Sequence, residues 1–159
     1  ISGIGDVERS FRNAQTQYYW RKLLARLEES RRHRVSTGKI DHIKIGRVLY
    51  GDPDTITWAK KNQADHPEAP IEITTDSVEA IIQYKPESVV SRIAPRPIMW
   101  VHSKDDDLLP YEESRRMYVL ASEPKKLVLL EGFGHYDLYE GAGLKATMDP
   151  TVAWFEEHL

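Results

Sequence analysis

Cysteine is absent from all 159 residues, which excludes disulfides, thiolate metal sites and a cysteine nucleophile while leaving the compartment open. Long apolar runs are also missing. Apolar runs such as residues 98–101 and 127–130 fall far short of the roughly 20 residues a membrane-spanning helix needs, and the N-terminus carries no signal-peptide pattern. The sequence therefore gives no sign of a membrane protein, and the cytoplasm is the default expectation. Nor is there an excess of charge of one sign: 22 basic and 25 acidic residues leave a net charge of −3. That provides no broad field for a generic nucleic-acid or membrane-surface binder, so small molecules or proteins are the expected partners. No repeat or low-complexity tract is present. Apolar residues make up 40% and charged residues 30%, a globular composition, and the length suits one domain with its own core. The chain opens with ISGIGD and no methionine, an apolar residue leading into a glycine-rich turn. We expect this to be the interior of a longer fold.

The first 95 residues read as mostly helical. Trp20, Leu23, Leu24 and Leu27 fall at i, i+3, i+4 and i+7, one apolar stripe that predicts a helix over residues 16–35 with Gly38 as its stop. The basic run at residues 31–34 sits at that helix's C-terminal end. Cations there oppose the negative pole of the helix dipole, so a solvated face explains the run without a phosphate ligand. A second helix is predicted over residues 51–66, with Asp52 as N-cap and Pro53 in the first helical position. TTDSVEAIIQY reads as a third, and PESVVSRI as a short further turn before Pro95 and Pro97.

At Ala94 the texture changes. RPIMWVHS and KKLVLLEG read as strands buried on both faces, PYEESRRMYVLAS as the helix between them, and DPTVAWFEEHL as a last helix capped by Asp149 with Pro150 at its first position. Strand, helix, strand, helix at this spacing is a βαβα unit with parallel strands. Two parallel strands do not make a stable open sheet, so the remaining strands are expected in another chain or an N-terminal part. We place the boundary between a helical region, residues 1–92, and the βαβα part, residues 93–159.

Ligands of open parallel sheets bind beyond the carboxyl ends of the strands. The loops there are HSKDDDLLP and EGFGHYDLY. One offers carboxylates and the other a histidine, and both emerge on the same edge, so an aspartate of the first can accept a hydrogen bond from His135 of the second. Two other readings stand beside this one. An aspartate run is commonly a solvated turn that caps the next helix, and a histidine after glycine is commonly a turn residue. A divalent-cation site drawn from His102, Asp105, Asp106, Asp107 and His135 is disfavoured, because adjacent aspartates point in different directions.

From ESVVSRIAPRPIMWVHSKDDDLLPYEESRRMYVLASEPKKLVLLEGFGHYDLYEG to AWFEEHL, the chain resembles the C-terminal part of α/β-hydrolase-fold enzymes, in the esterase, dienelactone-hydrolase and peptidase-like branch. There the acid loop typically reads His-Gly-x-x-Asp-x-x-Val-Pro, and the base follows a glycine after the last strand. Ser103 takes the glycine's place here, Asp106 the acid's, and Gly134-His135 the second motif. The resemblance thus selects Asp106 and His135 as acid and base, with Asp105 and Asp107 as exposed or helix-capping neighbours. It also makes the first part of the chain a helical cap, with ISGIGD the end of the strand before it. The family's Gly-x-Ser-x-Gly elbow occurs nowhere in the sequence, and neither does its glycine-rich oxyanion loop. Ser2 lacks the preceding strand and the spacing of that elbow.

The resemblance implies a serine hydrolase of esters or amides that needs no cofactor. Its serine and oxyanion donors would come from a separate N-terminal half, the partner chain. Tyr18, Tyr19, Trp20, Trp58 and Tyr136 are candidates for contact with substrate, against the plainer alternative that aromatics at helical spacing pack a core. The alternative at the level of function is a non-catalytic, hydrolase-like binding or interaction subunit.

Overall fold

The computed structural model describes residues 1–48 and 52–158. Two compact units are present, residues 7–84 and residues 1–6 together with 85–159. The division therefore differs from the expected boundary after residue 92, and backbone hydrogen bonds explain why. Ser2 N–H donates to the Val101 carbonyl at 2.9 Å and Glu87 N–H to the Gly5 carbonyl at 3.0 Å, which ties both the opening strip and residues 85–92 to the C-terminal part.

The unit of residues 7–84 contains α1 (Val7–Asn13) and α2 (Gln17–Thr37), then β1 (His42–Lys44), α3 (Pro53–Asp65), β2 (Glu72–Thr74) and α4 (Thr75–Ile82). Trp20, Leu23 and Leu27 of α2 pack with Val48, Val78 and Ile82 into one core, as the apolar spacing predicts. Leu24 lies on the exposed flank of that stripe. The helix ends at Gly38, whose φ of 73° is the left-handed stop expected there. Asp52 caps α3, accepting from the Asp54 and Thr55 N–H groups at 2.9 Å each; Gly51, where the expected helix begins, lies outside the described residues. The basic run at the end of α2 faces carboxylates. Arg31 pairs with Glu28 and Glu79, Arg32 with Glu28, and Arg34 with Glu79. β1 and β2 pair antiparallel, His42 opposite Thr74, and at three residues each they are too short for an alternating pattern to announce them.

In the other unit, PESVVSRI forms two 3-10 turns, Pro86–Ser88 and Val90–Ile93. β3 (Ile98–Ser103), α5 (Glu112–Leu120), β4 (Lys125–Leu130) and α6 (Gly141–His158) follow. β3 and β4 are parallel, in register from Ile98 opposite Lys125 to Ser103 opposite Leu130, as expected. Val90, Trp100, Met117 and Ala121 form the core, and Trp100 meets Tyr118 edge to face at 6.4 Å. The opening strip lies against this core so closely that a side chain at Gly3 would meet the Met117 methyl at 2.8 Å.

The last helix departs from expectation. It begins at Gly141, eight residues before Asp149, and Pro150 lies inside it. Asp149 is not its cap but pairs with Lys145 one turn earlier, at 2.5 Å. The glycines of EGAGL read as turn material, yet Gly143 is needed for packing: a Cβ there would stand 2.2 Å from the Asp137 carbonyl oxygen, far inside contact distance. No helix among the described residues is long and apolar enough to cross a membrane.

Candidate active site

Register places the two loops. Because Ser103 and Leu130 end their strands side by side, residues 104–110 and 131–139 leave the sheet on one edge. Several contacts stitch them together there. The Ser103 hydroxyl donates to the Phe133 carbonyl at 2.5 Å, Lys104 N–H donates to the Leu130 carbonyl at 2.8 Å, and Gly132 N–H donates to the Asp105 carboxylate at 2.6 Å. Asp137 secures the base loop from within by accepting the Gly134 N–H at 2.7 Å.

Asp106 and His135 are brought together by this frame. His135 Nδ1 lies 2.8 Å from Asp106 Oδ2, with the acid's side chain fully buried and 15% of the imidazole exposed. An ionised carboxylate only accepts, so Nδ1 is the protonated nitrogen and Nε2 is left for proton exchange with a reactant. The other carboxylate oxygen, Oδ1, accepts the Leu108 and Leu109 N–H groups at 3.1 and 2.8 Å. Burial opposes ionisation of Asp106, but hydrogen bonds from His102, His135 and the Leu109 N–H outweigh it and hold the carboxyl well below its ordinary pKa.

Asp105 and Asp107 are exposed, one of the two expected alternatives; neither caps α5, which has no side-chain cap, and Asp105 also tethers the base loop. Among the described residues no group of three or more histidine, aspartate and glutamate side chains is placed to hold a metal ion. Ser103 is more than a stand-in for glycine, since its hydroxyl makes the link to Phe133 that glycine cannot.

Ser2 enters the site by a route the sequence did not suggest. Its hydroxyl donates to Asp106 Oδ2 at 3.1 Å, from a buried residue with φ of 46°. It therefore serves the acid and is not placed as a nucleophile on the imidazole. A non-glycine residue in the left-handed region is costly, and such conformations gather at functional sites.

The aromatic candidates separate. Trp20 is buried in the α2–α4 core, so packing accounts for it and a role in contacting substrate does not fit. Tyr18, Tyr19 and Trp58 are exposed on their own unit, with Tyr18 edge-on to Tyr19 at 5.2 Å. Tyr136 stands edge-on to the His135 ring at 5.0 Å, and Tyr139 is 6.1 Å from it.

No protein-family model matches the chain. A curated relative, an uncharacterized 31.7 kDa protein of the traX-finO intergenic region of Escherichia coli, is 29% identical over 137 residues, covering 86% of this chain and 47% of that protein. Among solved structures, the α/β-hydrolase GrgF from Penicillium aligns over 89% of the chain and 50% of its own length, with a TM-score of 0.67 at 18% identity. The chain carries the C-terminal part of an α/β-hydrolase fold. DcsB, solved in complex with its substrate analogue, aligns over 98% of this chain and 54% of its own, with a TM-score of 0.74 at 16% identity. The chain spans about half the length of these proteins. Within that fold, Asp106 and His135 lie on the loops after two consecutive parallel strands.

Proposed function

We propose that this chain supplies the acid and base of a serine hydrolase that cleaves a carboxylic ester or amide through an acyl-enzyme. The hydrogen bond of 2.8 Å between His135 Nδ1 and buried Asp106 carries the proposal. The fold relates the chain to hydrolases in general; the serine chemistry rests on the site.

In this mechanism His135 Nε2 takes the proton of a serine hydroxyl as the oxygen attacks the substrate carbonyl. The imidazolium then protonates the leaving group, and the same nitrogen activates the water that releases the acid product. Asp106 stays ionised throughout, fixing the tautomer and stabilising the cation, a task suited to a carboxyl held below its ordinary pKa. The serine and the oxyanion N–H donors belong to an N-terminal portion outside these 159 residues, because no Gly-x-Ser-x-Gly occurs within them. We assign that portion to a partner chain. It would extend the sheet on the side of β3, where Ser2 already bonds to Val101.

A serine-directed phosphonate and an activated ester test the reading on the complex. Labelling should fall on the N-terminal portion. His135→Ala should lower kcat by roughly 10³-fold or more, and Asp106→Asn, which favours the wrong tautomer, by up to about 10⁴-fold. Near-normal turnover in His135→Ala, or labelling of this chain, would sink the proposal.

A further inference from the structure

His102 is wholly buried beside the acid, yet the reaction above gives it no task. Its Nε2 faces two acceptors, the Leu109 carbonyl at 2.9 Å and, farther away, Asp106 Oδ2 at 3.4 Å. A nitrogen surrounded by acceptors must carry the proton. Its Nδ1 lies 2.7 Å from the Ser114 hydroxyl, which can donate to it. That hydroxyl is also placed to donate to the Gly3 carbonyl at 3.2 Å, in the same strip whose Ser2 hydroxyl reaches Asp106; its single proton goes to Nδ1, the shorter contact, once Nε2 carries the ring proton.

Leu109 connects these contacts. Its N–H donates to Asp106 Oδ1 at 2.8 Å while its carbonyl accepts from His102. A histidine at the end of β3 thereby sets the peptide orientation of the turn that fixes one carboxylate oxygen, leaving the other oriented toward His135. Without that donor, the Leu109 carbonyl would have to turn toward water and the turn would lose its hold on Oδ1.

We propose that His102 is a positioning residue for the Asp106–His135 pair: in the Nε2–H tautomer it clamps the Leu109 carbonyl and so keeps the Asp106 carboxylate aligned on His135. This deepens the hydrolase reading and rests on it.

The test uses the intact complex with the nucleophile-bearing portion, labelled with ¹⁵N-histidine. In the unsubstituted protein, the ¹⁵N spectrum should show His102 protonated at Nε2 alone with Nδ1 accepting; protonation at Nδ1 alone would overturn the proposal without any variant. His102→Asn keeps an acceptor near the Nδ1 position but loses the donor to Leu109, whereas His102→Gln places an amide donor near Nε2. His102→Asn should lower kcat by about 10- to 100-fold with KM little changed, the scale expected of a displaced catalytic group. It should also move or broaden the low-field proton signal of the His135 Nδ1–H. His102→Gln should recover at least about half of that loss on a logarithmic scale and restore the signal. A His102→Asn complex with unchanged kcat and an unchanged His135 signal would overturn the inference while leaving the hydrolase reading intact. Activity in His135→Ala would instead overturn the reading itself. Should His102→Asn fail to fold, the ¹⁵N tautomer and the His102→Gln variant still decide.

Discussion

At the scale of single residues, the site turns on how many donors one carboxylate gathers. Asp106 receives the Ser2 hydroxyl, His135 Nδ1, two backbone N–H groups and, farther off at 3.4 Å, His102 Nε2, which together offset the cost of burying a charge. Burial would raise the carboxyl's pKa, but the hydrogen bonds lower it overall. A folded pKa below the unfolded value, near 3.8, adds stability that is present in full above that value and lost as pH falls toward the folded one. The gap in urea midpoint between the unsubstituted chain and Asp106→Asn should therefore hold from neutrality to about pH 4 and narrow below it. A gap that stays constant to about pH 2 would mean that the carboxylate's hydrogen bonds add nothing to folding. The sequence made Asp106 and His135 legible because loop position and motif both mark them. It could not reveal Ser2 or the tether through Asp105, because those contacts depend on backbone turns more than 20 residues apart in the chain. His102 was visible as a possible ligand in a cluster and as the first residue of the acid-loop motif, with no task attached to it.

Among the elements, local chemistry was legible wherever caps and spacing carried it. The start of α3 followed from Asp52-Pro53 and the end of α2 from Gly38, and both stand as expected. The start of α6 was missed because proline after aspartate is a strong start signal, while the actual beginning at Gly141 has no side-chain marker. Proline inside that helix removes a donor that the Ala146 carbonyl would otherwise meet, and packing of Gly143, Thr147 and Trp154 against the unit holds the helix regardless. The cap of α3 gives a direct measurement. Asp52→Ala removes the acceptor for the Asp54 and Thr55 N–H groups and for the Thr55 hydroxyl. It should cost about 1 kcal/mol, read as faster amide exchange along α3. Exchange rates there equal to those of the unsubstituted chain would show that the cap is idle.

On the scale of the whole molecule, α6 carries two apolar stripes. Gly143, Thr147 and Trp154 are buried. On the adjacent face Leu144, Met148, Val152 and Phe155 are all exposed, and their spacing of four, four and three residues keeps them within one helical stripe. A single apolar face is what a helix packed on one layer requires; a second, uncovered face belongs against another layer. The fold class was readable from the βαβα pattern. What would cover this helix was not readable, because no motif or spacing marks the partner of an exposed apolar face. Under the proposed function the occupant is the nucleophile-bearing N-terminal portion, consistent with a chain that spans about half the length of its relatives. The chain by itself should then bind an apolar dye and self-associate, and the assembled hydrolase should do neither. Met148→Glu combined with Phe155→Glu should relieve dye binding by the lone chain. The same pair should weaken its association with the N-terminal portion at least about tenfold, or about 1.4 kcal/mol. Calorimetric titration of the two portions reads the second effect. Undiminished association would place the stripe away from the joint, and the N-terminal portion would then have to meet this chain through β3 and the opening strip alone.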